Sequence, residues 1–240
     1  MNKYSTSTFT SAGGHPVNED SVRLIRESKW IVAIVADGLG AHGGGNIASG
    51  AAVMAIEDAL PNAGITNPAA LASCLAAANA EVLRQQKPGV AMKSTAVMLA
   101  IEGGAAAFAH VGDSRGYAFR NGRVAVQTMD HSVSQMAVLR GEITTAQIRF
   151  HESRSKLMRA LGADDAAHEE ITPVGAPRPG DAYLLCSDGF WEYVTEEEME
   201  VDLAKANGAA AWLSLMLTRI GARIPADHDN LSAICIIAEG

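Results

Sequence analysis

Short apolar runs alternate along the chain with joints rich in glycine and asparagine, a pattern typical of a protein with many strands. The joint Asn121-Gly122 is a strong hairpin signal. Residues 1–37 are expected to be extended. The runs predict strands at residues 21–25, 30–36, 94–101, 105–111, 114–120, 123–128, 182–187 and 231–238.

Apolar residues at helical spacing predict two alanine-rich helices, one ending at Pro61 and the other at Lys87-Pro88-Gly89. The helical segments are expected at residues 46–60, 68–86, 132–140, 145–149, 156–161 and 209–223. The charged stretch 150–155 is predicted to be exposed, within a flap at about residues 141–161. Blocks of strands separated by helix pairs predict an α+β sandwich, with helices covering two mainly antiparallel sheets.

Composition narrows the class of protein. The chain has 240 residues, 48% of them hydrophobic and 19% charged, which is an ordinary globular balance. Without a repeat or linker, residues 1–240 are expected to form one domain. A net charge of −8 argues against a nucleic-acid partner. No apolar run approaches the roughly 20 residues that span a bilayer, so no membrane partner is expected. The three cysteines are isolated and the first residues are polar, which predicts reduced thiols and a cytoplasmic protein.

Aspartates recur next to glycine, serine or asparagine, mostly just after an apolar run. They stand in five segments: Asn18-Glu19-Asp20, Asp37-Gly38, Gly112-Asp113-Ser114-Arg115, Ser187-Asp188-Gly189 and Asp229-Asn230. One such segment alone is typical of a turn. Several carboxylates converging at strand ends would repel one another, and Mg²⁺ or Mn²⁺ would relieve that repulsion. Together the segments predict a metal site.

In this order, the segments resemble the motifs of metal-dependent Ser/Thr protein phosphatases of the type 2C family. The resemblance covers nearly the whole chain, at residues 14–20, 35–49, 94–95, 110–116, 128–132, 160–162, 185–192 and 227–232. It implies a four-layer αββα sandwich, in agreement with the strand and helix pattern.

The resemblance also implies a pair of Mn²⁺ or Mg²⁺ ions with a third-metal site. It assigns them Asp37 as the bridge, Gly38 through its carbonyl, Asp188 and Asp229 at the second metal, Asp20 through water, and Asp113 with Asp188 at the third. In the implied reaction, hydroxide bridging the metals attacks the phosphorus of phosphoserine or phosphothreonine, without a phosphoenzyme. Asp37 is therefore also a catalytic residue.

Other polar residues in these motifs could have either a catalytic or a structural role. His42 in the glycine-rich loop is the candidate proton donor to the leaving alkoxide; the alternative is a solvated loop histidine. For Asp130 and His131 a structural role is favoured, because an aspartate before a helix is typically a cap. Arg115 is expected to pair with a carboxylate.

The implied partners are a phosphorylated protein and a cognate Ser/Thr kinase. The stretch 187–192 further resembles phosphatases that are paired with kinases controlling type VI secretion. Two other classes stay open: a catalytically silent phosphoprotein-binding module, favoured only by His15, and another two-metal hydrolase such as a nuclease, disfavoured by the acidic charge. A basic flap face containing His151, Arg154, Lys156 and Arg159 would meet the phosphopeptide or form a solvated loop.

His15 occupies the position at which the family commonly has a phosphate-gripping arginine. Arginine offers a permanent charge and two parallel donors to phosphate, and histidine does not. We therefore expect His15→Arg to lower KM for a phosphorylated substrate in steady-state kinetics. An unchanged or higher KM would show that His15 does not limit phosphate capture.

Overall fold

The structure, a computed structural model, describes residues 3–40, 44–87 and 92–239. Strands within these residues form two antiparallel sheets. The first contains β1 (Tyr4–Ser11), β7 (Arg115–Arg120), β8 (Arg123–Gln127), β10 (Ala182–Cys186) and β11 (Leu231–Ala238). Its order is β1-β11-β10-β7-β8, so β11 lies between β1 and β10.

The second sheet has the order β2-β3-β5-β6-β9, with a short strand, β4, paired to the end of β3. Its members are β2 (Asp20–Arg26), β3 (Trp30–Leu39), β4 (Lys93–Ser94), β5 (Ala96–Glu102), β6 (Ala105–Val111) and β9 (Glu170–Gly175). Strand β3 pairs with β2 on one side and β5 on the other, which places it inside the sheet.

Helix pairs cover the outer faces of the sheets. Helices α1 (Gly45–Asp58) and α2 (Pro68–Gln85) pack on the second sheet, and α5 (Glu196–Lys205) and α6 (Ala209–Gly221) pack on the first. The shorter elements are α3 (Val133–Leu139), a 3₁₀ helix (Thr145–Phe150) and α4 (Asp188–Trp191). The predicted four-layer αββα sandwich is confirmed.

The continuous apolar run of β3 follows from burial on both faces. Val32 and Ile34 belong to the core beneath α1 and α2, whereas Ala33 and Val35 belong to the core between the sheets. Such a strand needs no polar alternation. Among the described residues, no helix has the length and apolar character needed to cross a membrane.

One helix prediction was wrong. Residues 156–161 contain no helix; they form an irregular segment with isolated bridges from Leu157 to Ser132 and from Leu161 to Ser94. The side chain of Asn79 accepts a hydrogen bond from the following Gly162 N–H at 2.8 Å. This stretch is therefore held by neighbouring segments, without an intrahelical ladder.

Among the described residues, β9, α4 and α5 had no sequence-based prediction. Strand β9 lacks a long apolar run, and α5 is too charged to show a clear apolar face. The start of α5 nevertheless carries a capping box, in which the Glu198 side chain accepts from Thr195 N–H at 3.1 Å and the Thr195 hydroxyl accepts from Glu198 N–H at 3.4 Å. That spacing of threonine and glutamate was the signal available in the sequence.

Candidate metal centre

The fold brings the predicted aspartates to one end of the sandwich. Asp20 begins β2 and lies directly opposite Asp37 on β3. Asp113 follows β6, Asp188 begins α4 directly after β10, and Asp229 precedes β11. A cavity of about 240 Å³, called here the acidic cavity, is lined by Asp37, Gly38, Asp113, Asp188 and Asp229, together with Glu19, Leu39, Gly40, Ser155, Leu157 and Asn230.

Asp37 is fixed through its backbone. Its N–H donates to the Thr95 hydroxyl at 2.9 Å, and its carbonyl accepts from Thr95 N–H at 2.8 Å and from the Ser94 hydroxyl at 3.0 Å. Regular pairing of β3 with β5 ends at Val35, so these bonds continue the attachment to the neighbouring segment. The carboxylate is consequently held at a defined place at the end of a buried strand.

Close backbone approach explains two of the glycines beside the aspartates. A Cβ on Gly38 would overlap the carbonyl oxygen of Gly45, and a Cβ on Gly189 would overlap that of Asn230. Any larger residue would have to displace α1 or the loop before β11. Glycine at these places therefore allows the aspartate segments to approach one another.

Polar side chains connect the segments across large sequence distances. Asn230 accepts from Glu19 N–H at 2.7 Å and donates to the Ala12 carbonyl at 2.9 Å. The Ser187 hydroxyl donates to Asp20 Oδ2 at 2.8 Å and accepts from Ser232 N–H at 3.0 Å. These contacts hold the first and last aspartate segments together, a role that sequence reasoning did not assign to either residue.

Burial disfavours the ionised form of the carboxylates and raises their pKa values. Burial, followed by the charge of Asp188, raises the pKa of Asp37 well above its usual range, and burial followed by Asp113 does the same for Asp188. Burial also raises the pKa of Asp20 to about 6 and that of Asp113 to about 7. Asp20 Oδ1 is buried without a hydrogen-bond partner among the described residues. An unmatched negative site of this kind fits a divalent cation with oxygen ligands.

Arg115 does not neutralise this site. Its guanidinium makes a bidentate pair with Asp130 at 2.8 and 2.7 Å, and both side chains are buried. Arg115 thus pairs with a carboxylate as predicted. Asp130 is not the predicted helix cap, because the Ser132 hydroxyl takes that place, accepting from Gln135 N–H at 3.2 Å.

A second group of possible metal ligands lies nearby, with ligand atoms of His110, His131 and Glu170 within 4.8 Å of one another. The two imidazoles are stacked, with centroids 4.6 Å apart and planes 17° apart, so their in-plane lone pairs do not converge. His131 Nδ1 accepts from Gly112 N–H, and Arg159 lies 3.4 Å from Nε2. Burial, with His110 and Arg159 nearby, lowers the pKa of His131 to about 3. We interpret the pair as neutral packing beneath the Asp113 turn.

A second depression, called here the neighbouring hollow, adjoins the acidic cavity and shares Asp188 and Asp229 with it. Its volume is about 360 Å³, and its lining includes His15, Arg154 and His228. His15 Nε2 lies 3.7 Å from Asp229 Oδ1. His42 lies outside the described residues.

The flap reaches the rim of both spaces. Arg154 Nε donates to Glu192 Oε1 at 2.6 Å, which ties the flap to the segment after Asp188. Ser155 lines both the acidic cavity and the neighbouring hollow, whereas Phe150 is 85% exposed. The flap therefore combines a fixed rim with an exposed outer side.

These features have counterparts in known proteins. A model of the protein phosphatase 2C family matches residues 12–226. The chain belongs to that family. The resemblance noted in the sequence is thereby confirmed, and the two sheets and helix pairs of this type 2C family member are those of its solved relatives.

Curated relatives of this type 2C family member are named as phosphatases. Serine/threonine protein phosphatase PstP of Mycobacterium tuberculosis is 34% identical over 188 residues, covering 75% of this chain and 35% of PstP. The chain thus spans about a third of the length of PstP. Serine/threonine phosphatase stp of Listeria monocytogenes is 30% identical over 213 residues, covering 85% of this chain and 83% of stp.

Solved structures extend the likeness to three dimensions. A catalytic domain of PstP in complex with two manganese ions superposes with a TM-score of 0.79 at 26% identity, covering 99% of both chains. PppA, described as a key regulatory component of T6SS in Pseudomonas aeruginosa, superposes with a TM-score of 0.79 at 28% identity, covering 98% of this chain and 97% of PppA.

The raised aspartate pKa values predict how the stability of this type 2C family member depends on pH. A carboxyl with a raised pKa in the folded state stabilises it at low pH, and that stability is lost as pH rises through the folded pKa. Without metal, we expect the free energy of unfolding to fall between about pH 6.5 and pH 8. Folded Asp113 loses its proton over this range, at a pKa of about 7. The raised pKa values of Asp37 and Asp188 act in the same direction, because the unfolded chain has already lost those protons.

Denaturant titrations in chelator and in Mn²⁺ would measure this dependence. Bound cation should flatten it, since the carboxylates are then already ionised. Below about pH 6.5 the lowered pKa values of His110 and His131 make stability rise with pH, opposite to the effect of the aspartates. The prediction therefore applies only above about pH 6.5. Metal-free protein that gains stability between about pH 6.5 and pH 8 would contradict the prediction.

Proposed function

We propose that the protein is a metal-dependent phosphatase that hydrolyses phosphoserine and phosphothreonine in proteins. The observation that carries the proposal is the acidic cavity, at which buried carboxylates from distant parts of a type 2C chain meet. No arginine or lysine of the described residues pairs with Asp37 or Asp188 there. A catalytically silent module would gain nothing from such a cluster, which weakens stability unless a cation is bound.

The residues present fit a metal pair. Asp37 and the Gly38 carbonyl would hold one ion, Asp188 and Asp229 with Asp37 the other, and Asp20 would act through bound water. A bound pair activates water at neutral pH and offsets charge on the phosphoryl oxygens. The two manganese ions in the PstP catalytic domain support a pair of divalent ions, for which Mn²⁺ and Mg²⁺ are the two candidates.

The neighbouring hollow would receive the substrate phosphoryl group and the residues beside it. His15, His228 and Arg154 line this hollow together with Asp188 and Asp229, so hydrogen-bonding side chains and one guanidinium share the hollow with two predicted metal ligands. His15 would orient the phosphoryl oxygens, less firmly than an arginine would. Proton donation by His42 to the leaving alkoxide is retained as part of the proposal.

The biological setting follows from the same proposal. A phosphoprotein phosphatase reverses a Ser/Thr kinase, so a cognate kinase is the expected partner. The likeness to PppA supports a place in type VI secretion control. Residues 1–240 would act as a single catalytic domain.

Two carboxylate substitutions test the activity. Asp37→Asn and Asp229→Asn should each lower kcat for para-nitrophenyl phosphate by at least about 100-fold across a Mn²⁺ titration, because each removes a charged metal ligand. Asp165→Asn changes an exposed aspartate away from the acidic cavity and is the matched control. Folded wild-type protein that is inactive at every Mn²⁺ concentration would instead favour the phosphoprotein-binding module.

The flap gives a separate prediction about substrate size. Lys156 is exposed, and its neighbours Ser155 and Leu157 line the acidic cavity. We expect Lys156→Ala to raise KM for a phosphorylated peptide several-fold and to leave KM for para-nitrophenyl phosphate within about twofold, since only the peptide extends beyond the hollow. Lys29→Ala, at the opposite end of β3, is the control. Equal effects on both substrates would contradict a role in peptide binding.

A further inference from the structure

Trp191 connects two of the predicted metal-binding segments. It is the last residue of α4, the short helix that begins with Asp188, and its side chain is 1% exposed. Its indole Nε1–H donates to the carbonyl oxygen of Asp113 at 3.0 Å. One side chain thus links the helix that carries Asp188 with the turn that carries Asp113.

The indole is held from its face by Arg115. The guanidinium carbon of Arg115 lies 3.5 Å from the ring centroid, a close cation–π contact. Arg115 is itself fixed by Asp130 and by a hydrogen bond to the Tyr117 hydroxyl at 3.1 Å. The direction of the indole N–H is therefore set by a buried network that does not include the predicted metal ligands.

The backbone of Trp191 is also held. Arg149, in the 3₁₀ helix at the start of the flap, donates from Nε to the Trp191 carbonyl at 2.9 Å and from Nη2 to the Val194 carbonyl at 3.1 Å. Arg149 Nη2 further contacts Glu196 Oε1 at 2.9 Å. The end of α4 is consequently anchored to the flap as well as to the Asp113 turn.

These contacts oppose a specific force. The carboxylates of Asp113 and Asp188 repel each other when both are ionised, and this repulsion tends to separate the turn from the helix. A hydrogen bond between neutral groups, buried from water and oriented by a fixed ring, resists that separation without adding charge. Its removal would leave a buried carbonyl without a partner as well as releasing the two segments.

We propose that Trp191 is a positioning residue that sets the separation of Asp113 and Asp188 and thereby the affinity for the cation they share. The inference rests on the proposed function, since it assumes that these carboxylates bind a metal. It assigns the indole a role distinct from filling the core beside Phe190 and Val194.

Trp212 supplies a matched comparison within the same core. It is fully buried, and its Nε1–H likewise donates to a backbone carbonyl, that of Met199, at 2.9 Å. Its ring packs edge-on against Phe119, with centroids 5.1 Å apart, away from the acidic cavity. Trp212→Phe and Trp191→Phe remove the same amount of apolar volume and the same kind of hydrogen bond.

The experiment is a Mn²⁺ titration by isothermal calorimetry, with free Mn²⁺ followed by electron paramagnetic resonance. We expect Trp191→Phe to weaken the lowest-affinity class of sites by about 10-fold or more, with the tighter class changed less than about twofold. Trp212→Phe should leave the Mn²⁺ affinity of both classes of sites unchanged, even if it lowers the melting temperature by as much as Trp191→Phe does.

Equal Mn²⁺ binding by Trp191→Phe and Trp212→Phe, in wild-type protein that does bind Mn²⁺, overturns the inference alone. Wild-type protein that binds no Mn²⁺ overturns the proposed function and the inference together. Should Trp191→Phe fail to fold, the Trp30→Phe, Trp212→Phe double variant leaves Trp191 as the remaining tryptophan. Its fluorescence should change over the concentration range of the weaker sites, and an unchanged emission there also overturns the inference.

Discussion

Repulsion among buried carboxylates is the constraint to which the rest of this structure responds. Asp37 and Asp188 lie at strand ends, where the sheets exclude water, and no arginine or lysine of the described residues pairs with either. Burial of such charges opposes folding, so they must be held in place by stronger contacts elsewhere. The three apolar cores supply the free energy, and the bonds from Thr95 and Ser187 supply the geometry.

Much of the fold could be predicted because its strands carry unusually direct signals. Strand β3 is apolar on both faces, and Asn121-Gly122 specifies the hairpin between β7 and β8. The prediction of secondary structure failed where tertiary contacts impose a conformation different from the one that local spacing favours. Residues 156–161 have helical spacing, yet isolated bridges to Ser132 and Ser94 hold them in an irregular segment. Helix α5 was not predicted because its many charged residues hide the helical spacing of its few apolar residues.

The candidate site divides in the same way. Its aspartates could be predicted because they recur beside glycine, serine or asparagine and mostly follow apolar runs, whereas the partners of the side chains that align them could not. Asn230 is hydrogen-bonded to residues more than 200 positions away in the sequence. Arg115, at the start of β7, pairs with Asp130, which follows the neighbouring strand β8. Those pairings depend on sheet order, which local spacing does not encode. Candidate metal ligands are thus easier to recognise in the sequence than the side chains that orient them.

The position of β11 between β1 and β10 has a consequence for biosynthesis. Of the described strands, β1 is translated first and its partner in the sheet, β11, is translated last. Until then the edges of β1 and β10 are unpaired, and Asn230 is absent from the loop that fastens Glu19. The acidic cavity can therefore be completed only after β11 has been made, which makes its assembly depend on contacts between distant parts of the sequence.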